Sequence, residues 1–347
     1  PPRSTLFPYT TLFRSYRQAE VQRILATIQR GGCVAVIGLS GAGKSNLLGF
    51  LARRVQVPDL EWVLLDGNRL QRVDAAGFWQ LVGAGLGCGD EVSDVEAVLS
   101  QRLHNPQQRV CLVMDRFDAL PKAEMELVAG NLRALRDSFK YQLGYVVGVR
   151  RALLAHSELA ELFFAGMLWL GPLAQADALW SVAQFANRAG LNWPIEVQER
   201  IYQLSGGYAS LLRAICEAFA DGVELEEGAL CFNPSVQARL NEFWADQPDA
   251  EALRLSGLEH HAWLSRRADE ELTALEHRLL EALRANSGEV CEKDDLIRMV
   301  WREDQVFERG VRDDSLAQLV RRLRQKIGSQ AIQTLPGRGY RLIRGNE

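Results

Sequence analysis

The chain has 347 residues, 47% of them apolar and 24% charged, enough for two or three domains with sizeable cores. A formal net charge of −4 excludes the global basic excess of a chain that coats nucleic acid, though not a local basic patch. No apolar run approaches the roughly 18 residues of a membrane helix, there is no secretory signal, and the six cysteines include no C-x-x-C pair; a cytoplasmic chain with reduced cysteines and no membrane partner is expected.

Thr5 to Ser15 reads T-L-F-P-Y-T-T-L-F-R-S and looks like the translation of a common short-read sequencing adapter. Residues 1–15 are therefore set aside as non-native, and the native N-terminus is expected further upstream. Tyr16 to Arg30 follows as an amphipathic helix, with Val21, Ile24, Leu25 and Ile28 on one face and Gly31-Gly32 at its end. Cys33 to Ile37 is a short apolar run of the buried-strand type. Gly38 to Ser45 then reads G-L-S-G-A-G-K-S, matching G-x-x-x-x-G-K-[ST] at every fixed position, and Asn46 to Leu51 is apolar at helical spacing.

Strand, glycine loop and helix in that order bind phosphate for a physical reason. Gly38, Gly41 and Gly43 allow backbone conformations closed to residues with a Cβ. Successive N–H groups, from Ser40 to Asn46, then curl round a phosphate at the positive end of a helix dipole. Lys44 is expected to reach the β- and γ-phosphates and Ser45 to place its hydroxyl on Mg²⁺, so ATP or ADP with Mg²⁺ is the expected ligand.

Glu61 to Gly67 is a second strand, and Gln71 to Leu86 and Val92 to Leu103 are helical. Val110 to Asp115 has the Walker B pattern, apolar residues ending in an acid; Asp115 is expected to hold Mg²⁺ together with Ser45. Leu143 to Val149 is a further strand, ending at Arg150-Arg151. Arg150 there senses the γ-phosphate, or the pair is simply solvated at a strand end. Leu168 to Pro172 (L-W-L-G-P) marks a boundary. Helices follow over Gln175 to Ala189, Pro194 to Leu204, Tyr208 to Ala220, Val236 to Ala245 and a short stretch around 250–255.

The P-loop, the Val110–Asp115 strand and the strand ending in Arg150-Arg151, with L-G-P-L at 170–173 and L-S-G-G-Y-A-S-L-L-R-A at 204–214, resemble a STAND-type or Orc/Cdc6-like ATPase within the AAA+ group. The resemblance implies an α/β P-loop NTPase core, a parallel sheet with helices on both faces, over 16–170, and a helical lid over 171–257. It implies a nucleotide switch rather than a metabolic enzyme. The family's S-G-G-x-P-x-L-L has proline near where Ala209 stands, so that match is partial. Hydrolytic relatives carry Glu directly after the Walker B Asp; here it is Arg116, which leaves Asp118 to position water beside Asp115. Nucleotide binding is thus expected more firmly than hydrolysis, which would be slow.

Residues 258–271 read as a polar linker; the adjacent His260 and His261 point different ways on any regular element and are not a metal pair. Thr273 and Glu276 form a capping box for a helix carrying Leu275, Leu279, Leu280 and Leu283. Val290-Cys291 is extended, Lys293 to Trp301 helical, Arg302 to Gly310 a charged loop, and Val311 to Ile327 a third helix. Two extended pieces follow, Ile332–Leu335 and Tyr340–Ile343, turning at Pro336-Gly337-Arg338-Gly339. L-T-A-L-E-H-R-L-L at 272–280, R-R-L-R-Q-K-I at 321–327 and G-R-G-Y-R-L at 337–342 closely resemble the OmpR/PhoB-type winged helix-turn-helix, which implies double-stranded DNA as partner for 272–347. Only Gly345-Asn346-Glu347 follows Arg344, so a native C-terminus is expected.

Between 311 and 344 eight basic residues (Arg312, Arg321, Arg322, Arg324, Lys326, Arg338, Arg341, Arg344) face two acids, Asp313 and Asp314. Helix register puts Leu316, Leu319, Val320 and Leu323 inward and Ser315, Gln318, Arg321 and Arg322 outward. Gln318 and Arg322 are expected to read base edges, Arg324 and Lys326 to meet phosphates, and Arg338, with Tyr340 beside it, to touch the backbone or minor groove. The leading expectation is a transcription regulator whose nucleotide state, through homo-oligomerisation or exposure of the DNA face, controls binding. The alternatives are an ATP-driven machine acting on DNA with the winged helix as tether, or a sensor lacking its N-terminal portion.

Overall fold

The structure is a computed structural model that describes residues 16–153, 157–164, 166–231, 233–264, 274–286, 288–301, 313–327 and 332–343. The chain divides into two compact units, 1–217 with 238–261, and 218–237 with 262–347.

The first unit is built on a five-stranded sheet in the order β2-β3-β4-β1-β5. Its strands are β1 (Val34–Ile37), β2 (Leu60–Asp66), β3 (Arg109–Asp115), β4 (Leu143–Val149) and β5 (Met167–Trp169), and every pairing is parallel. Strands β1 and β4 are buried along their whole length, which explains their unbroken apolar runs: a parallel sheet is covered on both faces. Ala35, Ile37, Leu112, Met114, Tyr145 and Val147 pack into the same cluster as Phe78, Val95 and Leu132, from α3 (Ala75–Leu86), α4 (Val92–Arg102) and α5 (Lys122–Ser138). The opposite face meets α1 (Gln18–Gln29) and α2 (Lys44–Arg54); a Cβ on Gly144 would touch Ile28, and one on Gly148 would lie 2.8 Å from Leu48. The α/β layers are those expected from the sequence.

Parallel register decides where the chemistry lies. Ile37 stands beside Val149, and Asp66 beside Asp115. The carboxyl ends of all five parallel strands therefore share one edge, where ligands bind in open α/β sheets. Two local readings shift. Residues 71–74 are bends, and α3 begins only after Asp74, whose side chain accepts from Gly77 N–H at 2.8 Å. L-W-L-G-P, read as a boundary, is strand β5 followed by the break: three residues are too few to show a periodicity. Helix α6 (Glu158–Phe163) precedes it.

The lid helices in this unit are α7 (Gln175–Arg188), α8 (Ile195–Ser205), most of α9 (Ala209–Ala220) and α11 (Pro234–Ala245), and α12 (Ala250–Leu255), with α10 (Glu227–Leu230) in the other unit. Cys33, Cys88, Cys111, Cys216 and Cys291 are free thiols; burial pushes the Cys33 thiol up to about 11 and Cys216 to about 12, the range of inert core thiols. No helix among the described residues is long and apolar enough to cross a membrane.

The C-terminal unit contains α13 (Ala274–Ala285), α14 (Lys293–Val300) and α15 (Asp313–Ile327). Its antiparallel sheet runs β6-β8-β7, from β6 (Cys291–Glu292), β7 (Ile332–Leu335) and β8 (Gly339–Leu342). This is a winged helix. Leu279, Leu283, Leu296, Val300, Leu316, Leu319, Val320, Leu323, Ile332 and Leu342 form one core, nearly all fully buried. Truncating one such leucine to alanine costs roughly 2–5 kcal/mol. Residues 1–15, Thr273 of the capping box and the loop over 302–310 lie outside the described residues.

Candidate nucleotide site and nucleic-acid interface

The P-loop leaves β1 at Gly38 and enters α2 at Lys44. Gly41 and Gly43 take left-handed φ of 87° and 92°, which a side chain would resist. Gly38 does not; its reason is space, since a Cβ there would lie 3.2 Å from Leu170 and 3.3 Å from Ala42. Lys44 folds onto the loop, its Nζ donating to the carbonyls of Gly38 and Leu39. Burial pulls its pKa below the ordinary lysine range, opposed by the carboxylates of Asp118, Asp246 and Asp115, while Arg150 adds to the lowering.

A cleft of about 670 Å³ is lined by Ser40, Gly41, Gly43, Lys44, Ser45, Asn46 and Arg150, the residues expected to bind nucleotide apart from Gly38, together with Asp118, expected to position water. Ser45 and Asp115 line an adjoining cavity of about 610 Å³. Asp115 is buried, and its Oδ1 has no hydrogen-bond partner. An orphaned carboxylate oxygen and a serine hydroxyl that line one cavity are a hard, anionic donor set that suits Mg²⁺. Arg116 turns through a left-handed φ of 55° and donates to Asn68 Oδ1; it has no capacity to accept a proton from water. Asp118 accepts the Arg150 N–H at 3.0 Å, with the Arg150 guanidinium 3.4 Å away.

Three side chains absent from the sequence reading grip the same loop. Tyr208, buried at the start of α9, donates its hydroxyl to Ser40 O at 2.6 Å. Asp246, after α11, accepts Ser40 N–H at 2.6 Å. Arg17, 1% exposed, donates to the carbonyls of Ala42 at 2.9 Å and Gly171 at 2.8 Å, while Asp177 accepts its backbone N–H. The Ser210 N–H adds a bond to Gly41 O at 3.0 Å. Arg17 with Glu20 looks like an ordinary surface pair at helical spacing, and Asp246 like a polar helix end; no sequence signal marks either. Beside the loop a groove of about 710 Å³ is lined by Tyr16, Asn46, Phe50, Trp180, Phe185 and Arg213, among others. Its aromatic faces offer stacking for a planar ring.

His261, read as linker, is buried and bonds Ser205 O through Nε2 at 2.9 Å, so that ring nitrogen carries the hydrogen; His260 is exposed. Among the described residues no group of three or more His, Cys, Asp or Glu side chains is placed to hold a metal ion.

On the winged helix, Gln318, Arg321 and Arg322 are exposed along α15 and Ser315 is half-buried; Arg338 is exposed at the hairpin turn. Two residues expected at the DNA make their contacts within the module itself. Arg324 is turned onto the wing, bonding Ile332 O at 2.9 and 2.6 Å and Thr334 Oγ1 at 2.7 Å, because the Ile332 carbonyl at the strand start needs a donor. Tyr340 is 6% exposed and belongs to the core. Arg312, Arg344 and the Lys326 side chain lie outside the described residues. Replacing Arg324 with alanine is therefore expected to speed amide exchange across residues 332–335 and lower stability by about 1–3 kcal/mol. The salt dependence of DNA binding is expected to stay as in the parent; a slope falling by about one unit would return Arg324 to the phosphate contacts.

Residues 267–342 match the family described as "Transcriptional regulatory protein, C terminal". No curated protein matches the chain. Among solved structures, it is similar to a Walker-type ATPase of Pyrococcus abyssi at 15% identity, covering 94% of this chain and 93% of that one with a TM-score of 0.45. It is also similar to Cdc6p of Pyrobaculum aerophilum at 14% identity, 97% and 92% coverage and a TM-score of 0.45. The RuvB Holliday junction branch migration motor of Thermotoga maritima is similar at 15% identity, 94% and 90% coverage and a TM-score of 0.41.

Proposed function

We propose that this chain is a cytoplasmic, STAND-type ATP-binding transcription regulator in which the nucleotide state of the P-loop unit controls sequence-specific DNA binding by the C-terminal winged helix. The observation that carries the nucleotide half is the shared edge of the sheet. The loop amides, Lys44, Ser45, Asp118 and Arg150 surround one cleft, with the unpartnered Asp115 oxygen beside Ser45. Ser45 and Asp115 would hold Mg²⁺, which when bound offsets the phosphate charge. The P-loop amides would bind and orient the phosphate tail, Lys44 would supply a cation to it, and Arg150 would meet the terminal phosphate. Arg116 at the position after Asp115 supports a switch with slow hydrolysis over a motor. The exposed Gln318, Arg321, Arg322 and Arg338, inside the segment that matches the transcription-regulator family, support the DNA half.

The test is DNA affinity of residues 16–347 at one fixed salt with no nucleotide, ADP or a non-hydrolysable ATP analogue. A difference of about fivefold or more between nucleotide states, the range of ordinary allosteric coupling, supports the switch, with oligomeric state measured alongside. Equal affinity in all three states would leave the winged helix as a tether and favour an ATP-driven machine.

A further inference from the structure

Asp246 stands in the nucleotide cleft with no part in the binding scheme above. It lies just after α11, is 8% exposed, and lines the cleft with Lys44, Asp118 and Arg150. Its Oδ2 accepts the N–H of Ser40 at 2.6 Å, and its Oδ1 lies 3.5 Å from the Arg150 guanidinium. Its backbone carbonyl accepts from Arg151 at 3.4 Å. A P-loop amide, the strand-end arginine and a nearby half-buried lysine form the donor set that a phosphate oxygen would take. Here an aspartate of the chain itself takes two of them.

The placement is braced. Phe243, in the last turn of α11, packs edge-on against Tyr208 at 5.5 Å, and Tyr208 holds Ser40 O. Ser40 is thus held at its N–H by Asp246 and at its carbonyl by Tyr208, both lid residues. A carboxylate fixed at that depth repels a further anion in the same position, and the repulsion is screened less there than in open water.

We propose that Asp246 is a built-in occupant of the terminal-phosphate position, which makes this arrangement of the lid selective for a nucleoside diphosphate over a triphosphate. The proposal rests on the nucleotide-binding reading above. A diphosphate fills the inner loop amides and leaves Ser40 N–H and Arg150 to Asp246. A triphosphate takes those donors, so it binds only as the carboxylate withdraws with the end of α11. Asp246 is in this sense a specificity-determining residue, and its release is the event that distinguishes the two nucleotides.

The test measures binding of fluorescent ADP and of a fluorescent non-hydrolysable ATP analogue, both with Mg²⁺, to the full chain and to its Asp246→Ala and Asp246→Asn variants. Asparagine keeps an acceptor for Ser40 N–H and removes only the charge; thermal melting checks that each variant folds. Both variants are expected to bind the ATP analogue about tenfold or more tightly than the parent, with ADP within about threefold. Binding of the ATP analogue by the variants alone also supports the proposal. An unchanged ratio of ADP to ATP affinity in both variants overturns it while the nucleotide reading stands. Weaker binding of both nucleotides overturns it as well and makes Asp246 a brace for the loop. No binding of either nucleotide by any of the three proteins removes the nucleotide reading and the proposal together.

Discussion

Lys44→Ala is expected to lower affinity for both ADP and the ATP analogue by about a hundredfold, measured by calorimetry or fluorescent nucleotide titration. The Lys44 ammonium is a half-buried cation at the P-loop, bonded to the Gly38 and Leu39 carbonyls. A phosphate would replace those neutral acceptors with charged ones, and a hydrogen bond to a charged group contributes about 1.5–3 kcal/mol. Two such bonds account for a hundredfold or more. The loss is expected for both nucleotides, which separates this variant from those at Asp246, where only the triphosphate responds. Nucleotide affinity of Lys44→Ala within about threefold of the parent would remove the P-loop from the binding scheme. If nucleotide state controls DNA binding, the same variant is expected to give one DNA affinity under all nucleotide conditions.

The second large effect lies on α15. Arg321 and Arg322 are both exposed on the helix whose opposite face, Leu316, Leu319, Val320 and Leu323, is core. Replacing both with alanine is expected to weaken DNA binding by at least about tenfold and to lower the salt slope by about one unit for each phosphate no longer neutralised. If Arg322 reads a guanine, its single replacement costs about 1–3 kcal/mol and relaxes preference at one base pair. Gel-shift titrations on a selected site, at several salt concentrations, measure both quantities. Unchanged affinity in the double variant would show that α15 does not enter a groove. Melting should be nearly unaffected, since exposed side chains off the core rarely change stability by more than about 0.5 kcal/mol.

These expectations divide by how local their causes are. The P-loop is legible because strand, loop and helix are one contiguous unit, and the glycine spacing is imposed by the backbone alone. The winged helix is legible for a similar reason: its amphipathic helices and Pro-Gly turn repeat at short range, and the core leucines lie where the helical period puts them. Two side chains of that same module take partners that local period does not show, since it gives direction but not reach. Arg324 leaves α15 on a polar side yet is taken up by the wing, and Tyr340 lies in a strand whose alternation turns it inward. β5 was missed because three residues carry no period.

The sequence by itself determined the phosphate loop, the acid at the end of β3 and the basic face of the last helix, since each follows from residues adjacent in the chain. Only the tertiary structure decided what holds and fills the loop. Arg17 meets Gly171 across 154 residues, Tyr208 meets Ser40 across 168, and Asp246 meets Ser40 across 206. Contacts at such separations leave no spacing to read. They exist because five parallel strands bring their carboxyl ends to one edge and the lid helices close over it, where a half-buried loop amide finds an acceptor.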